Sequence, residues 1–147
     1  MKDHSEEIIF ISLLNGSFIF SADLIRKIKN PCKIDFMVIK SYEGMESTGK
    51  IVIKKDISLD IKGKTVIIID DIIDTGNTLN FIKKYIQNKH PHIIKTCCLL
   101  NKQARRKQVI QADYIGFECP NKFVIGYGLD YDDKYRELPD IYEVSQI

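Results

Sequence analysis

The 147-residue chain lacks tryptophan, has only four prolines and four cysteines, and contains no apolar run near the ~18 residues that a membrane-spanning helix needs. The N-terminus, MKDHSEEIIF, carries acidic residues and no apolar core followed by a small-residue cleavage site, which argues against a secretory signal. The net charge of +2 gives no electrostatic case for nucleic-acid binding, although it leaves a local basic patch open. We therefore expect a cytoplasmic protein with no nucleic-acid or membrane partner.

Several common site motifs are missing as well. The four cysteines have neither the spacing of a zinc site nor that of a disulfide framework, so free thiols in a reducing compartment are expected. Gly63-Lys64-Thr65 resembles the end of a phosphate-binding Walker A loop, but Ser58 stands where that loop needs its first glycine. The triplet also precedes a strand, whereas a Walker A loop leads into a helix. GxGxxG, the dinucleotide motif, does not occur.

The most informative stretch that is present is VIIIDDIIDTGNTL, from Val66 to Leu79. Its four β-branched residues at 66–69 predict a strand buried on both faces of a sheet. Three carboxylates follow within five positions, those of Asp70, Asp71 and Asp74, and a TGNT turn leads into helical periodicity at Leu79. A buried parallel strand that opens through such a turn into a helix is a common place for an anionic ligand.

Strand and helix patterns alternate along the rest of the chain. Strands are predicted at 8–14, 33–40, 93–100, 114–117 and 123–125, with a half-exposed edge strand at 50–55. Helices are predicted at about 18–29 and from about 79 to 89, a short basic loop or helix at 101–107, and an irregular tail after 125. This alternation predicts one α/β domain, residues 1–147, with a central, mostly parallel sheet flanked by helices.

The carboxylate cluster has two interpretations. In the first, Asp70 and Asp71 merely solvate a strand end and Asp74 starts a turn. In the second, a cation or a hydroxyl-rich ligand relieves the repulsion among the three acids, and the adjacent turn binds phosphate. The combination of acids and TGNT turn favours the second interpretation.

VIIIDDIIDTGNTL resembles the ribose-phosphate signature of the type I phosphoribosyltransferases. Three further segments resemble the hypoxanthine-guanine branch of that family: LLNGSFIFSADL at 13–24, KSYEGMESTG at 40–49, and NKFVIGYGLDYDDKYRELP at 121–139. They occur in the family's order and cover nearly the whole chain. The signature alone indicates the superfamily, and FVIGYGLDY is the branch-specific part.

The resemblance implies sites for phosphoribosyl pyrophosphate. Asp70 and Asp71 would bind the ribose hydroxyls and help to hold Mg²⁺, and Asp74 would be the catalytic base for the proton on purine N7. Asp74 would also belong to the phosphoribosyl pyrophosphate site. The 5′-phosphate would be bound by the turn residues Thr75, Gly76, Asn77 and Thr78. The pyrophosphate would contact Asn15, Gly16 and Arg136.

The resemblance also implies a purine site. Lys102 would donate to the 6-oxo group, against the alternative of a solvated loop lysine, whereas Arg105, Arg106 and Lys107 are interpreted as a solvated face. Phe123 would stack on the base, and Val124 would read its edge through the backbone. Asp130 would support the base amino group or the metal, which makes the implied metal set Asp70, Asp71 and Asp130.

Four further expectations follow from the same resemblance. The loop at 41–49 would close over the site. Asn15 stands where the family usually has lysine, and its peptide bond to Gly16 would be the non-proline cis bond of this loop. The late start of the first strand leaves two alternatives, a small and reduced hood over the base or a truncated sequence. Relatives form homodimers or homotetramers.

The function implied is purine salvage, in which phosphoribose passes from phosphoribosyl pyrophosphate to hypoxanthine or guanine with Mg²⁺ as cofactor. The products would be IMP or GMP and pyrophosphate. Two alternatives stay open. One is a xanthine-preferring or other purine phosphoribosyltransferase, and the other is a catalytically weak regulator that senses phosphoribosyl pyrophosphate.

Overall fold

A six-stranded sheet organises the fold in a computed structural model that describes residues 6–41 and 50–145. Its strands are β1 Ile8–Leu14, β2 Lys33–Ser41, β3 Ile51–Lys55, β4 Thr65–Ile73, β5 Ile93–Asn101 and β6 Tyr114–Glu118. The strand order is β3-β2-β1-β4-β5-β6, and all neighbours are parallel except β2 and β3. The predicted α/β class is therefore confirmed, and β3 is the edge strand that its sequence predicts.

Two helices cross between the parallel strands: α1 Phe18–Ile25 after β1 and α2 Asn77–Gln87 after β4. Helix α1 is shorter than the predicted span to residue 29, because Leu24 and Ile25 already accept the turn bonds of Lys27 and Ile28. Neither helix in the described part of the chain could span a bilayer, since the longer one has 11 residues.

The apolar core lies where α2 covers the sheet. Leu79, Ile82 and Ile86 recur at helical spacing and are buried against side chains of the central strands. In the predicted apolar run of β4, Val66, Ile68 and Ile69 have no exposed surface, and Ile67 is half-buried. The strand continues beyond its predicted end, so Asp70 and Asp71 belong to it.

The tail is more ordered than its sequence suggests. β7 Phe123–Ile125 pairs antiparallel with β8 Tyr142–Val144, and the two strands form a second, small sheet. The expectation of an irregular tail is wrong for β8, because its pairing partner lies about twenty positions away and leaves no local pattern to detect. The segment between them turns repeatedly, with a left-handed backbone at Tyr127, Gly128, Asp132, Asp133 and Tyr135.

Strand order also determines where a ligand can bind. In the strand order, the chain passes from β1 to β2 in one direction and from β4 to β5 in the opposite direction. The carboxyl ends of β1 and β4 therefore form a topological switch point. The loop after β1 (Asn15–Ser17), the acids of β4 and the end of β5 all lie at this edge. The fold therefore brings together the segments that the sequence singled out.

The helix–sheet contact gives a test of the core. Ile82→Ala should lower the free energy of unfolding by about 2–5 kcal/mol, because it removes a fully buried side chain and leaves a cavity. The matched control is Ile115→Ala on β6, where the isoleucine is 40% exposed and the loss should stay under about 1 kcal/mol. Urea denaturation measures both, and equal losses would contradict this assignment of the core.

Candidate active site

Two cavities meet at Asp74. One, of about 120 Å³, is lined by Asp70, Asp74 and residues of the TGNT turn, with Ser41 on its far side. The other, of about 230 Å³, is lined by Asp71, Asp74, Lys102, Arg105, Phe123, Val124, Leu129 and Asp130. Asp74 and its neighbour Ile72 are common to both. A larger apolar cavity of about 570 Å³ lies elsewhere, between β5, β6 and the tail.

Asp70 and Asp71, the two adjacent acids of β4, repel each other electrostatically. Asp70 is only 8% exposed, and burial, followed by the neighbouring Asp71 carboxylate, raises its pKa well above the ordinary value. Its Oδ1 accepts the backbone N–H of Asp71 at 2.9 Å, which offsets part of this cost. An apolar strand end thus holds two adjacent carboxyls where a cation or a polyhydroxyl ligand would relieve them.

Donor chemistry at this pair suits Mg²⁺. Among residues 6–41 and 50–145, no group of three or more His, Cys, Asp and Glu side chains could hold a metal by itself, so the predicted metal set is not brought together as a trio. Mg²⁺, however, usually binds through one or two carboxylates together with waters and substrate phosphates. Asp70 and Asp71 fit that pattern.

A close backbone approach places the loop after β1 against these acids. A Cβ on Gly16 would collide with Oδ2 of Asp71 and lie 2.8 Å from its Cγ. On the other side, a Cβ on Gly128 would lie 2.6 Å from the carbonyl oxygen of Gly16. The non-proline cis bond of this loop joins Leu14 to Asn15, one residue before the predicted position, because the resemblance identifies the loop but not the bond within it. The Asn15 side chain is exposed.

The TGNT turn has the geometry of an anion site. Gly76 caps α2 with φ 86°, and its neighbour Thr75 is buried. Unpaired N–H groups at a helix start carry the positive end of the helix dipole, so a phosphate there needs no lysine. A side chain at Gly76 would also meet Ile110 at 2.7 Å.

The segment 102–110, which we call the buttress, holds this turn in place. The backbone N–H groups of Lys107 and Gln108 donate to the Thr75 carbonyl at 2.7 and 3.1 Å. The Gln108 amide donates to Oδ1 of Asn77 at 3.0 Å. Sequence reasoning missed the buttress, because its partners are some thirty residues away and no local signal marks them.

Arg106 is the centre of the buttress. Its guanidinium donates to the Asp74 carbonyl at 3.1 Å, to the Ile110 carbonyl at 2.7 Å and to Oδ1 of Asn101. The interpretation of Arg106 as part of a solvated face is therefore wrong: three protein acceptors replace water around this half-buried side chain.

The proposed purine residues line the 230 Å³ cavity. Lys102 is only 7% exposed, so the solvated alternative for this lysine is wrong. It directly follows the last residue of β5 and lines the cavity instead of the surface. Phe123 is 38% exposed and packs edge-on to Tyr131, with ring centroids 5.7 Å apart. Val124 shares the wall. The cavity thus combines an aromatic face, an apolar edge and a cation.

Asp130 and Arg136 are paired with each other. Nη2 of Arg136 lies 3.5 Å from Oδ1 of Asp130, and its Nη1 donates to the Gly128 carbonyl at 2.6 Å. Asp130 lines the 230 Å³ cavity, whereas Arg136 lines neither of the two cavities at Asp74. The predicted closing loop lies outside the described residues except for Ser41, which reaches the smaller cavity.

Comparisons with known proteins agree with this geometry. The phosphoribosyl transferase domain family matches residues 1–132. A hypoxanthine-guanine phosphoribosyltransferase from Aquifex aeolicus is 47% identical over 141 residues, which cover 95% of this chain and 79% of that protein.

Two solved structures are similar as well. A hypoxanthine-guanine phosphoribosyltransferase from Bacillus anthracis, with HEPES in its active site, is 48% identical with a TM-score of 0.90, covering 96% of this chain and 84% of that one. A hypoxanthine phosphoribosyltransferase from Trypanosoma cruzi, in complex with its product IMP, is 41% identical with a TM-score of 0.87, covering 95% and 76%. With its strand order, paired acids and anion-binding turn, this chain belongs to the phosphoribosyltransferase family, in its hypoxanthine(-guanine) branch.

Proposed function

We propose that the protein transfers phosphoribose from phosphoribosyl pyrophosphate to hypoxanthine or guanine, forming the 5′-nucleotide and releasing pyrophosphate. The observation that carries this proposal is that Asp74 lines both cavities. On one side is the 120 Å³ cavity at the TGNT turn, which we call the phosphate cavity, and on the other is the 230 Å³ cavity at Phe123, which we call the base cavity. A sugar phosphate and a base that must react with each other would meet at Asp74. The names of the relatives agree with this activity.

On the phosphoribosyl side, the N–H groups and hydroxyls of Thr75 to Thr78 would bind the 5′-phosphate at the start of α2. Asp70 and Asp71 would accept hydrogen bonds from the ribose hydroxyls. When bound at these two acids, Mg²⁺ supplies positive charge that stabilises the departing pyrophosphate. Asn15 and Gly16 would contact the pyrophosphate through the backbone, and Arg136 would contact it through guanidinium N–H groups.

On the purine side, Phe123 would stack on the ring, and the Lys102 ammonium would donate to the 6-oxo oxygen. Val124 would contact the base edge through its backbone, and Asp130 would accept from an amino group there. Two groups thus face the polar atoms of a 6-oxopurine. Adenine would present a 6-amino group to Lys102, so donor would meet donor and the base should bind poorly.

Asp74 would act as the general base. As N9 attacks the anomeric carbon, the proton on N7 becomes more acidic, and a carboxylate that lines both cavities can accept it. Cleavage of the C1–O bond builds positive charge on the ribose, which water would intercept, so the covering of the site by the loop at 41–49 stays part of the proposal. We further propose a cytoplasmic homodimer or homotetramer.

The first prediction concerns substrates. Turnover is expected with hypoxanthine and guanine, little with adenine, and none without Mg²⁺; an assay with each base and xanthine, with and without the metal, measures this. Turnover mainly with xanthine would change the base assignment. Intact binding of phosphoribosyl pyrophosphate with no turnover of any base would replace the enzyme by a sensor of that ligand.

The second prediction concerns the base catalyst. Asp74→Asn should lower turnover by ~10²-fold or more, and much more than it weakens the binding of phosphoribosyl pyrophosphate, because asparagine keeps the shape of the side chain but cannot accept the proton. Asp132→Asn, the same substitution at an exposed site in the tail, is the control and should match the wild type. Near wild-type turnover of the Asp74 variant would remove this residue from its assigned role.

The third prediction concerns Asp70. Because its pKa is raised in the folded state, the folded protein holds a proton that the unfolded chain releases, so Asp70 lowers stability increasingly as the pH rises above the ordinary value of 3.8. Asp70→Asn should therefore increase the free energy of unfolding, with a gain that begins near pH ~4 and grows as the pH rises. Asparagine keeps a side-chain oxygen that can accept the Asp71 N–H, so the backbone at this end of β4 should keep its conformation.

Denaturant unfolding of this variant at several pH values, with Asp132→Asn as control, measures the effect. The same variant should bind phosphoribosyl pyrophosphate and Mg²⁺ more weakly. A loss of stability that is equal at all pH values would show that Asp70 is a structural residue and not a strained ligand.

A further inference from the structure

Arg105 pairs with the proposed general base. Its Nη1 donates to Oδ2 of Asp74 at 3.2 Å, and the Arg105 side chain lines the base cavity. The two side chains are 55% and 33% exposed, so this ion pair lies at the mouth of the cavity and not in the core. The pair contributes little to stability, since exposed ion pairs are typically worth ~0–1 kcal/mol.

The two oxygens of the Asp74 carboxylate have different surroundings. Oδ1 is fully buried and has no hydrogen-bond partner among the described residues. The exposed part of the side chain therefore includes Oδ2, the oxygen that Arg105 contacts. A purine in the base cavity must reach the carboxylate through this oxygen, which has lone pairs for both Arg105 and a purine N–H.

The buttress determines where Arg105 can reach. Arg105 ends the 3₁₀ turn Gln103–Arg105, directly after Lys102, and the next residue is the Arg106 whose three hydrogen bonds fix the backbone. The Arg105 side chain is thereby presented to the cavity on the same short segment as the Lys102 side chain. One segment carries both the cation expected to contact the base and the cation that contacts the general base.

From this geometry we propose that Arg105 is a positioning residue for Asp74. Its guanidinium fixes the plane of the carboxylate, so that Oδ2 faces the base cavity when N7 arrives. It also balances the negative charge that would otherwise draw water to the mouth of the cavity. This role rests on the proposed function, since it presupposes that Asp74 accepts the purine proton.

The experiment combines Arg105 and Asp74 variants in a double-mutant cycle. Arg105→Met should lower kcat by about tenfold, less than loss of the general base, because the pair is half exposed. The KM for phosphoribosyl pyrophosphate should stay within about twofold of the wild type, because Arg105 does not line the phosphate cavity. Arg105→Lys should recover part of the loss, since it keeps the charge but not the planar fork.

The cycle separates positioning from a general structural effect. If Arg105 acts through Asp74, Arg105→Met should cost less than about twofold in the Asp74→Asn background. Lys62→Met is the control, because it removes one positive charge from an exposed side chain that lines neither cavity at Asp74 and should leave kcat unchanged.

The outcomes are distinct. An active wild type with kcat unchanged by Arg105→Met, or a tenfold loss repeated in full in the Asp74→Asn background, would overturn the proposal for Arg105 alone. A kcat loss of equal size in Lys62→Met would assign the effect to net charge and overturn it too. A wild type inactive with every base would overturn the proposed function and this role together.

Discussion

Electrostatic repulsion among the carboxylates at the end of β4 is the constraint on which the arrangement of the surrounding residues depends. Three carboxylates fall within five residues, and one of them is buried at 8% exposure. Each acid has a different neighbour: Asp70 accepts a backbone N–H, Asp71 lies against Gly16, and Asp74 pairs with Arg105. The site is thus held in a state that a cation and a hydroxyl-rich substrate would stabilise.

The buttress connects the two halves of the site. It follows β5, carries Lys102 into the base cavity, and returns to hold the phosphate turn through the Thr75 carbonyl and the Asn77 side chain. The residues that would contact the base and those that would contact the phosphate are therefore not independent. A shift of this single segment would displace both.

Local patterns account for the elements that sequence alone could predict. The apolar run before Asp70, the helical period after Leu79 and the alternation at 50–55 each correspond to an element of the structure. Contacts between distant segments account for what it missed: β8 depends on β7, and Arg106 donates to the Asp74 carbonyl, 32 residues away, in addition to its nearer acceptors Asn101 and Ile110. The roles of the site residues came from resemblance, because an isolated Phe123 or Asp130 has no local signature.

The stacking of Asp71, Gly16 and Gly128 restricts how this protein could be re-engineered. At Gly128 a side chain would meet the Gly16 carbonyl at 2.6 Å in a backbone conformation, φ 97°, that L residues rarely adopt. At Gly16 it would displace the Asp71 carboxylate. A library that aims at new bases has no usable diversity at these two positions. The positions open to variation are Phe123 and Val124, which line the base cavity.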